Sequence, residues 1–204
     1  MKEYWTIPGP SKAPHKPCIA FVKYDGSNLR WEWSKKRGWY KFGCRHRLID
    51  EKDEQFGEAV PLFLNHFAGS LEAMFKDKFF RDIQSIIAYT EFFGSHSFAG
   101  MHVKEDPKEL RLFDVNLYKR GILSPREFVN IFGSLPFAAE VVYEGVLNDS
   151  FIDGVRNGEY CVNEGVVCKG GAGYDLWMVK IKTNDYKRRL MEKFGNEHWA
   201  KFWE

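Results

Sequence analysis

The sequence Phe21-Val22-Lys23-Tyr24-Asp25-Gly26-Ser27-Asn28 places one lysine at the end of an apolar stretch, immediately before an Asp-Gly turn. An ordinary lysine has a pKa of about 10.4, so only about one ammonium in a few thousand is neutral and nucleophilic at neutral pH. A second cation or a metal ion a few Å away can lower that pKa by about three units. The stretch therefore predicts that Lys23 is a nucleophile with a cationic partner elsewhere in the chain. The alternative is a solvent-facing lysine at a strand end.

The composition favours one domain. A chain of 204 residues with 44% hydrophobic content can bury one substantial core. Residues 1–17 hold four prolines, which predicts an extended lead-in, and residues 18–204 form the predicted domain. The chain has neither an apolar leader nor a membrane-spanning run, so we predict a soluble, cytoplasmic protein without a membrane partner.

The formal charge of +2 excludes a bulk polycation, but basic residues cluster at residues 35–37, 41–47 and 187–189. Such patches can bind phosphates, although clustered charge is more often solvated surface. The four cysteines lack the spacing of a zinc site and are predicted to be reduced thiols.

Hydrophobic periodicity predicts an α+β fold of antiparallel β-sheets flanked by helices. Residues 18–22, 29–33 and 39–42 are predicted to form an antiparallel meander. Helical periodicity covers residues 56–78, with interruptions near Pro61 and Gly69, and a capping pattern starts a short helix at Ser124. Residues 145–158 look turn-rich, and Asn184 is predicted to cap a last helix that ends near Gly195. The remaining predicted strands are residues 83–93, 110–117, 161–169 and 176–183.

Four further segments follow the lysine in a recognisable order. They are residues 88–94 (AYTEFFG), 112–115 (LFDV), 163–169 (NEGVVCK) and 177–183 (WMVKIKT). In order and spacing the five segments resemble motifs I, III, IIIa, IV and V of the covalent nucleotidyltransferase superfamily, which contains ATP-dependent ligases and mRNA capping enzymes. The resemblance covers residues 18–183 and implies the nucleotidyltransferase fold of a ligase adenylation domain.

The position of Asn28, five residues after Lys23, resembles the Lys-x-x-Gly-x-Asn signature of the RNA ligase branch that includes phage and RNA-editing ligases. DNA ligases usually carry arginine there, yet Tyr24 and Asp25 are also at home in DNA ligases. The resemblance therefore implies an RNA ligase, places Asn28 among the nucleotide-binding residues and leaves DNA open as a substrate.

The resemblance implies that Lys23 attacks the α-phosphorus of ATP and holds AMP as a phosphoramidate. Lys180 and Lys182 alternate along a strand, so both should point to one face, beside the strand that ends at Lys23. There they would neutralise phosphate oxygens and keep Lys23 deprotonated. Alternatively, they form the polar face of an amphipathic edge strand.

The resemblance implies contacts with the nucleotide or the metal ion for four more residues. Glu91 would accept a hydrogen bond from the ribose hydroxyl, and Glu164 would help to place Mg²⁺ or Mn²⁺. Phe113 would stack on adenine, and Lys169 would reach a phosphate oxygen. The simpler alternatives are exposed strand carboxylates for the two glutamates and ordinary core packing for Phe113.

Arg45 lies where the motif Ia arginine is expected and would contact AMP or the 5′-phosphate end, with Arg47 as the competing assignment. Only a short helix and an aromatic tail, residues 199–204, follow Lys182. We therefore expect no OB-fold domain, and a partner domain or subunit could supply a nucleic-acid clamp.

Taken together, the motifs predict an ATP-dependent polynucleotide ligase, most simply an RNA ligase, that joins 5′-phosphate and 3′-hydroxyl ends of broken or nicked RNA through lysyl-AMP. Three alternatives remain open: a DNA ligase adenylation domain, a GTP-dependent capping guanylyltransferase, and a non-catalytic RNA-binding module. The compact chain is compatible with a virus-encoded, phage-type repair enzyme that acts in the host cytoplasm.

Overall fold

A computed structural model describes residues 4–95 and 102–198, and the predicted aromatic tail at residues 199–204 lies outside them. The strands of the described residues are β1 (Pro17–Lys23), β2 (Ser27–Ser34), β3 (Gly38–Cys44), β4 (Leu48–Ile49), β5 (Ser85–Phe93), β6 (Glu109–Leu117), β7 (Gly121–Ile122), β8 (Val141–Val146), β9 (Gly165–Gly170) and β10 (Trp177–Lys182). The longer helices are α1 (Ala59–Phe63), α2 (Gly69–Phe75), α3 (Pro125–Phe132), α4 (Asp149–Arg156) and α5 (Asn184–His198). No described helix is both long enough and apolar enough to cross a membrane.

The strands form two antiparallel sheets, which confirms the predicted α+β class. The small sheet has the order β10-β9-β1-β8, and the large sheet has the order β4-β3-β2-β5-β6-β7. Lys23 ends a strand of the small sheet, and Ser27 starts a strand of the large one. The short connection between them therefore joins the two sheets, and a site built around it can draw residues from both.

The predicted meander is wrong at its first strand. β2 and β3 do form a hairpin, but β1 pairs with β8 and β9 in the other sheet. The chain changes sheet at Gly26, where a Cβ atom would lie 2.3 Å from the carbonyl oxygen of Phe92. Only glycine fits such a close approach. Local strand patterns do not reveal pairing partners, because pairing depends on contacts with residues far along the chain.

The predicted position of β10 beside β1 is also wrong, because β9 lies between them. Val166 and Cys168 of β9 are fully buried, as expected for a strand with neighbours on both sides. Lys180 is consequently paired with Val167 of β9 and is separated from β1 by one strand.

A helical layer covers one face of the large sheet, as the periodicity of residues 56–78 predicts. The chain does not break near Pro61 and Gly69. Instead, a π-helical segment, Leu64–Ala68, joins α1 to α2. Phe63 stacks on Trp31 of β2 with ring centroids 4.1 Å apart, so an aromatic contact fixes this layer to the sheet.

The second half of the domain corrects two other expectations. Residues 145–158 are not a turn-rich loop, since they include α4, which Asn148 caps by accepting a hydrogen bond from the amide of Phe151 at 2.8 Å. Thr183, and not Asn184, caps α5, because its Oγ1 accepts from the amide of Tyr186. The regular part of α5 ends where predicted, at Gly195, whose φ is 69°. The capping box at Ser124 of α3 is confirmed.

Candidate active site

Lys23 lies at the border of two cavities. The first has a volume of about 610 Å³ and the second about 600 Å³, and Lys23, Gly26 and Ser27 line both. The Lys23 side chain is 22% exposed, so its amine can be reached from the cavities. The residue singled out by its sequence setting therefore occupies a position where two ligands could meet.

Glu164 is the carboxylate nearest to the Lys23 amine. Its Oε1 lies 2.8 Å from Lys23 Nζ, and its side chain is buried. Glu164 immediately precedes β9 and is held there by Gly165, which has a φ of 150° and packs against the backbone of Ile181. A larger residue at position 165 would clash with that backbone, so the glycine keeps Glu164 in place.

Lys182 completes a charged cluster beneath Lys23. Its Nζ lies 4.0 Å from Glu164 Oε1, and its side chain is buried. Burial, together with the charges of Lys23 and Lys180, lowers the pKa of Lys182 to about 8 despite the attraction of Glu164. Lys182 lines the second cavity, whereas Lys180 lines the first.

The pKa of Lys23 differs from the expectation that Lys180 and Lys182 hold it down. Burial lowers it, but the charges of Glu164, Glu91 and Asp25 outweigh burial and leave the pKa raised. Of these three carboxylates, Glu164 forms an ion pair with the amine at 2.8 Å. The protein's own charges therefore keep a proton on Lys23.

Glu91 and Asn28 lie together in the wall of the first cavity. They are register partners on β5 and β2, and both line that cavity. Burial first, and then the charges of Glu164 and Asp25, raise the pKa of Glu91 to about 7 against the opposing effect of Lys23. A carboxyl group at this position can form a hydrogen bond with a hydroxyl group of a ligand in the cavity.

Phe113 and Lys169 form part of the wall of the first cavity. The Lys169 amine donates to the carbonyl oxygen of Phe113 at 2.7 Å and lies 2.9 Å from Asp114 Oδ2. Both members of this ion pair are buried. The pair therefore supports the wall behind Phe113, and the phosphate contact predicted for Lys169 would compete with Asp114.

The two candidate arginines differ in their surroundings. Both line the first cavity, but Arg47 is engaged by Asp53, with Nη2 and Oδ1 3.0 Å apart. Within residues 4–95 and 102–198, no ion pair or hydrogen bond engages the guanidinium of Arg45. Arg45 is therefore the one of the two whose guanidinium is available to an anionic ligand in the cavity.

Sequence reasoning missed three residues of the site. Tyr4, in the predicted lead-in, is buried against Phe113 and donates a hydrogen bond to Asp114. Asp25 accepts a hydrogen bond at 2.9 Å from the hydroxyl of Tyr186, which is 161 residues away. Asp25 could have been assigned to the site from the sequence, because it belongs to the motif around Lys23. Tyr4 and Tyr186 could not, since only folding brings them to the site.

Two unsatisfied carboxylate oxygens fit a divalent cation. Asp25 Oδ2 and Glu164 Oε2 are buried and have no hydrogen-bond partner. Burial first, and then the charge of Glu164, raise the pKa of Asp25 to about 6. Mg²⁺ is usually held by one or two carboxylates and keeps several waters. In the described part of the chain, no three His, Cys, Asp or Glu residues are grouped so that they could together hold a metal ion.

Comparisons by sequence find no matching family model and no matching curated protein. By structure, the chain is similar to mutants of an RNA ligase from Naegleria gruberi. One, solved with ATP and Mn, has a TM-score of 0.67 and 18% identity over 95% of this chain and 58% of the other. Another mutant, solved with AMP and Mn, has a TM-score of 0.66 and 16% identity, and the match covers 91% of this chain and 57% of the ligase chain. A protein from Aquifex aeolicus described as an ATP-dependent DNA ligase has a TM-score of 0.67 and 18% identity. This match covers 100% of this chain and 55% of the Aquifex chain.

The chain has the nucleotidyltransferase fold of these ligases. This confirms the predicted fold. The chain spans a little over half the length of the structures that it matches.

Proposed function

We propose that this protein is an ATP-dependent polynucleotide ligase that joins RNA ends through a lysyl-AMP intermediate. The observation that carries the proposal is the position of Lys23, beside Glu164 and at the border of a cavity that Glu91, Phe113 and Lys180 also line. A nucleophilic amine, a carboxyl group for a sugar, an aromatic face and a cation for phosphate are the groups that capture of a nucleotide requires.

In the first step the adenine packs on Phe113, the ribose meets Glu91, and Lys180 and Lys182 offset charge on the α-phosphate. Lys23 Nζ forms a bond to the α-phosphorus, and the bond from that phosphorus to pyrophosphate breaks. The amine must first lose the proton that the surrounding carboxylates hold on it. A divalent cation bound at Asp25 and Glu164 would offset their negative charge and thereby lower the pKa of Lys23.

In the second step a 5′-phosphate oxygen attacks the AMP phosphorus and displaces Lys23. In the third step a 3′-hydroxyl attacks the 5′-phosphate and releases AMP. The fold is compatible with RNA or DNA as substrate, and Asn28 favours RNA through its resemblance to the RNA ligase signature. Sealing of matched nicks in RNA, DNA and hybrid duplexes tests this choice, and exclusive sealing of DNA would overturn it.

Labelling with α-labelled nucleotides tests the proposed chemistry. Incubation with ATP and Mg²⁺ should leave label on the protein after denaturing electrophoresis, and the labelled protein should release it on addition of RNA with a 5′-phosphate. Label from GTP alone would indicate a capping guanylyltransferase instead. RNA binding without any label would indicate a non-catalytic binding module.

The pH dependence of nucleotide capture should show a bend caused by Lys182. The profile of kcat/KM for ATP reports ionisations of the free enzyme. As pH rises towards the pKa of Lys23, the neutral fraction of this amine increases, whereas charged Lys182 decreases above its own pKa of about 8. The logarithm of kcat/KM should therefore rise with a slope of about one up to that pH and flatten beyond it.

The substitution Lys182→Arg should remove this bend, because a guanidinium stays charged throughout the range. Rates of lysyl-AMP formation at saturating Mg²⁺, measured across the alkaline range for both proteins, give the two profiles. An unchanged bend in the variant would assign the ionisation to another group.

Loss of either unsatisfied carboxylate should weaken divalent-cation binding without ATP. We expect Asp25→Asn and Glu164→Gln each to raise the Kd for Mn²⁺ by at least about tenfold, because each removes one charged oxygen ligand. Titration followed by electron paramagnetic resonance measures this directly. Asp153→Asn, at an exposed carboxylate of α4, is the matched control. Equal affinity in all four proteins would exclude a metal site at this position.

A further inference from the structure

The second cavity extends from Lys23 away from the wall formed by Phe113. Asp25, Glu164 and Lys182 line the part near Lys23. Lys108, Lys193, Phe93 and Phe194 also line this cavity, and none of them lines the first. A nucleotide whose base packs on Phe113 would fill the first cavity, which leaves the second for another ligand next to the same amine.

Two cations of the second cavity are available to an anion. Lys108 Nζ lies 2.8 Å from Glu58, but the Glu58 side chain is 72% exposed, so water screens this pair and a phosphate can replace it. Lys193 is exposed, and its Nζ lies 5.9 Å from the ring centroid of Phe194. Long, solvated lysines of this kind bind phosphates as mobile point charges.

Aromatic rings accompany these cations. Phe93 stacks on Tyr24 with centroids 5.1 Å apart and an interplanar angle of 16°, so its ring is held in a fixed orientation. Phe194 is half-buried on α5. Aromatic faces next to lysines are the combination with which proteins hold a single-stranded nucleotide, since the rings accept any base and the lysines accept its phosphates.

We propose that the second cavity binds the 5′-terminal nucleotide of the polynucleotide, with its 5′-phosphate beside Lys23, the next phosphate of the strand at Lys108 and Lys193, and its base on Phe93 or Phe194. This inference rests on the proposed ligase function. It places the 5′-phosphate oxygen next to AMP on Lys23. That oxygen forms a bond to the AMP phosphorus, the bond from phosphorus to Lys23 Nζ breaks, and the amine regains a proton from solvent beside Glu164.

The leaving pyrophosphate of the first step is a weaker candidate for this cavity. The aromatic rings of Phe93 and Phe194 offer pyrophosphate no favourable contact, whereas a base can stack on them. A nucleotide suits the cavity better, because its base can cover the rings while the outer lysines hold the next phosphate of the strand.

Substitutions Lys108→Ala and Lys193→Ala separate nucleic-acid binding from nucleotide capture. We expect lysyl-AMP formation, read by intact mass, to stay within about twofold of the unsubstituted protein because neither lysine lines the first cavity. Transfer of AMP from preloaded protein to RNA with a 5′-phosphate should fall about tenfold or more in the double variant. The slope of log affinity against log salt should decrease by about one for each lysine removed.

Lys104→Ala is the matched control, since Lys104 is exposed on the same connection as Lys108 but does not line the cavity. An RNA whose 5′-terminal nucleotide lacks a base tests the stacking contact without altering the protein. We expect it to bind at least about fivefold more weakly than the matched complete RNA.

Three outcomes would overturn this inference. Unchanged transfer and salt dependence in the double variant would exclude a phosphate site, and equal binding of the two RNAs would exclude base stacking. A loss of lysyl-AMP formation as large as the loss of transfer would assign the cavity to the triphosphate tail. If the unsubstituted protein forms no lysyl-AMP, the proposed function fails, and the binding measurements alone then decide whether the cavity holds RNA.

Discussion

Replacing Lys23 with alanine is expected to abolish covalent capture of AMP, with a loss of at least about a thousandfold. No other amine shares the position of Lys23 between the two cavities and beside Glu164 in the described part of the chain. Lys182 is also near, with its Nζ 4.0 Å from Glu164 Oε1, but its side chain is buried and lines only the second cavity. The mass of the intact protein after incubation with ATP and Mg²⁺ gives the result, because capture adds one adenylate.

Two controls separate chemistry from stability. Lys23→Arg keeps a cation beside Glu164 but has no nucleophilic amine at neutral pH, so it should be as inactive as the alanine variant. Lys16→Ala, at an exposed lysine before β1, should retain full capture. Both position 23 variants should still bind RNA in a salt-sensitive manner. An adenylate found on another residue, or retained in either variant, would contradict the assignment of the nucleophile.

The largest expected loss of stability follows from breaking the buried pair between Asp114 and Lys169. Their charged atoms lie 2.9 Å apart, and their side chains are 2% and 3% exposed. Burial lowers the pKa of Lys169 and raises that of Asp114, so each charge depends on the other. Lys169→Ala should therefore lower the free energy of unfolding by about 3–5 kcal/mol, because it leaves a buried carboxylate without its cation.

The double variant Asp114→Asn, Lys169→Met should lose clearly less than Lys169→Ala, since it removes both charges and keeps most of the volume. Urea unfolding followed by far-UV circular dichroism gives the free energy of unfolding of the unsubstituted protein, of Lys169→Ala and of the double variant. A loss below about 1 kcal/mol for Lys169→Ala would show that the pair is solvated and does not support the wall behind Phe113.

The local elements were largely predictable from the sequence because their causes are local. The capping box at Ser124 satisfies backbone groups within one turn, and the periodicity of residues 56–78 creates the apolar face that holds Phe63 on Trp31. α4 could also have been predicted, since Asn148 precedes Phe151, Ile152 and Val155 at helical spacing. The turn-forming composition around it concealed this pattern.

Strand pairing was less predictable. Five of the six residues of β9 are buried, yet the sequence of this strand does not indicate that it separates β1 from β10. The same limit applies to the pKa of Lys23. Sequence reasoning identified the lysines that could lower it, but the outcome depends on distances, and Glu164 at 2.8 Å outweighs them.

By itself, the sequence determined the identity of the groups that could carry the chemistry, because residue type and strand-end position depend only on the chain near each residue. The tertiary structure alone decided that Tyr4 and Tyr186 join the site, that two carboxylate oxygens remain unsatisfied, and that Lys23 borders two cavities. These features arise from contacts between distant parts of the chain. Their free energies depend on distance and burial, which no local pattern contains.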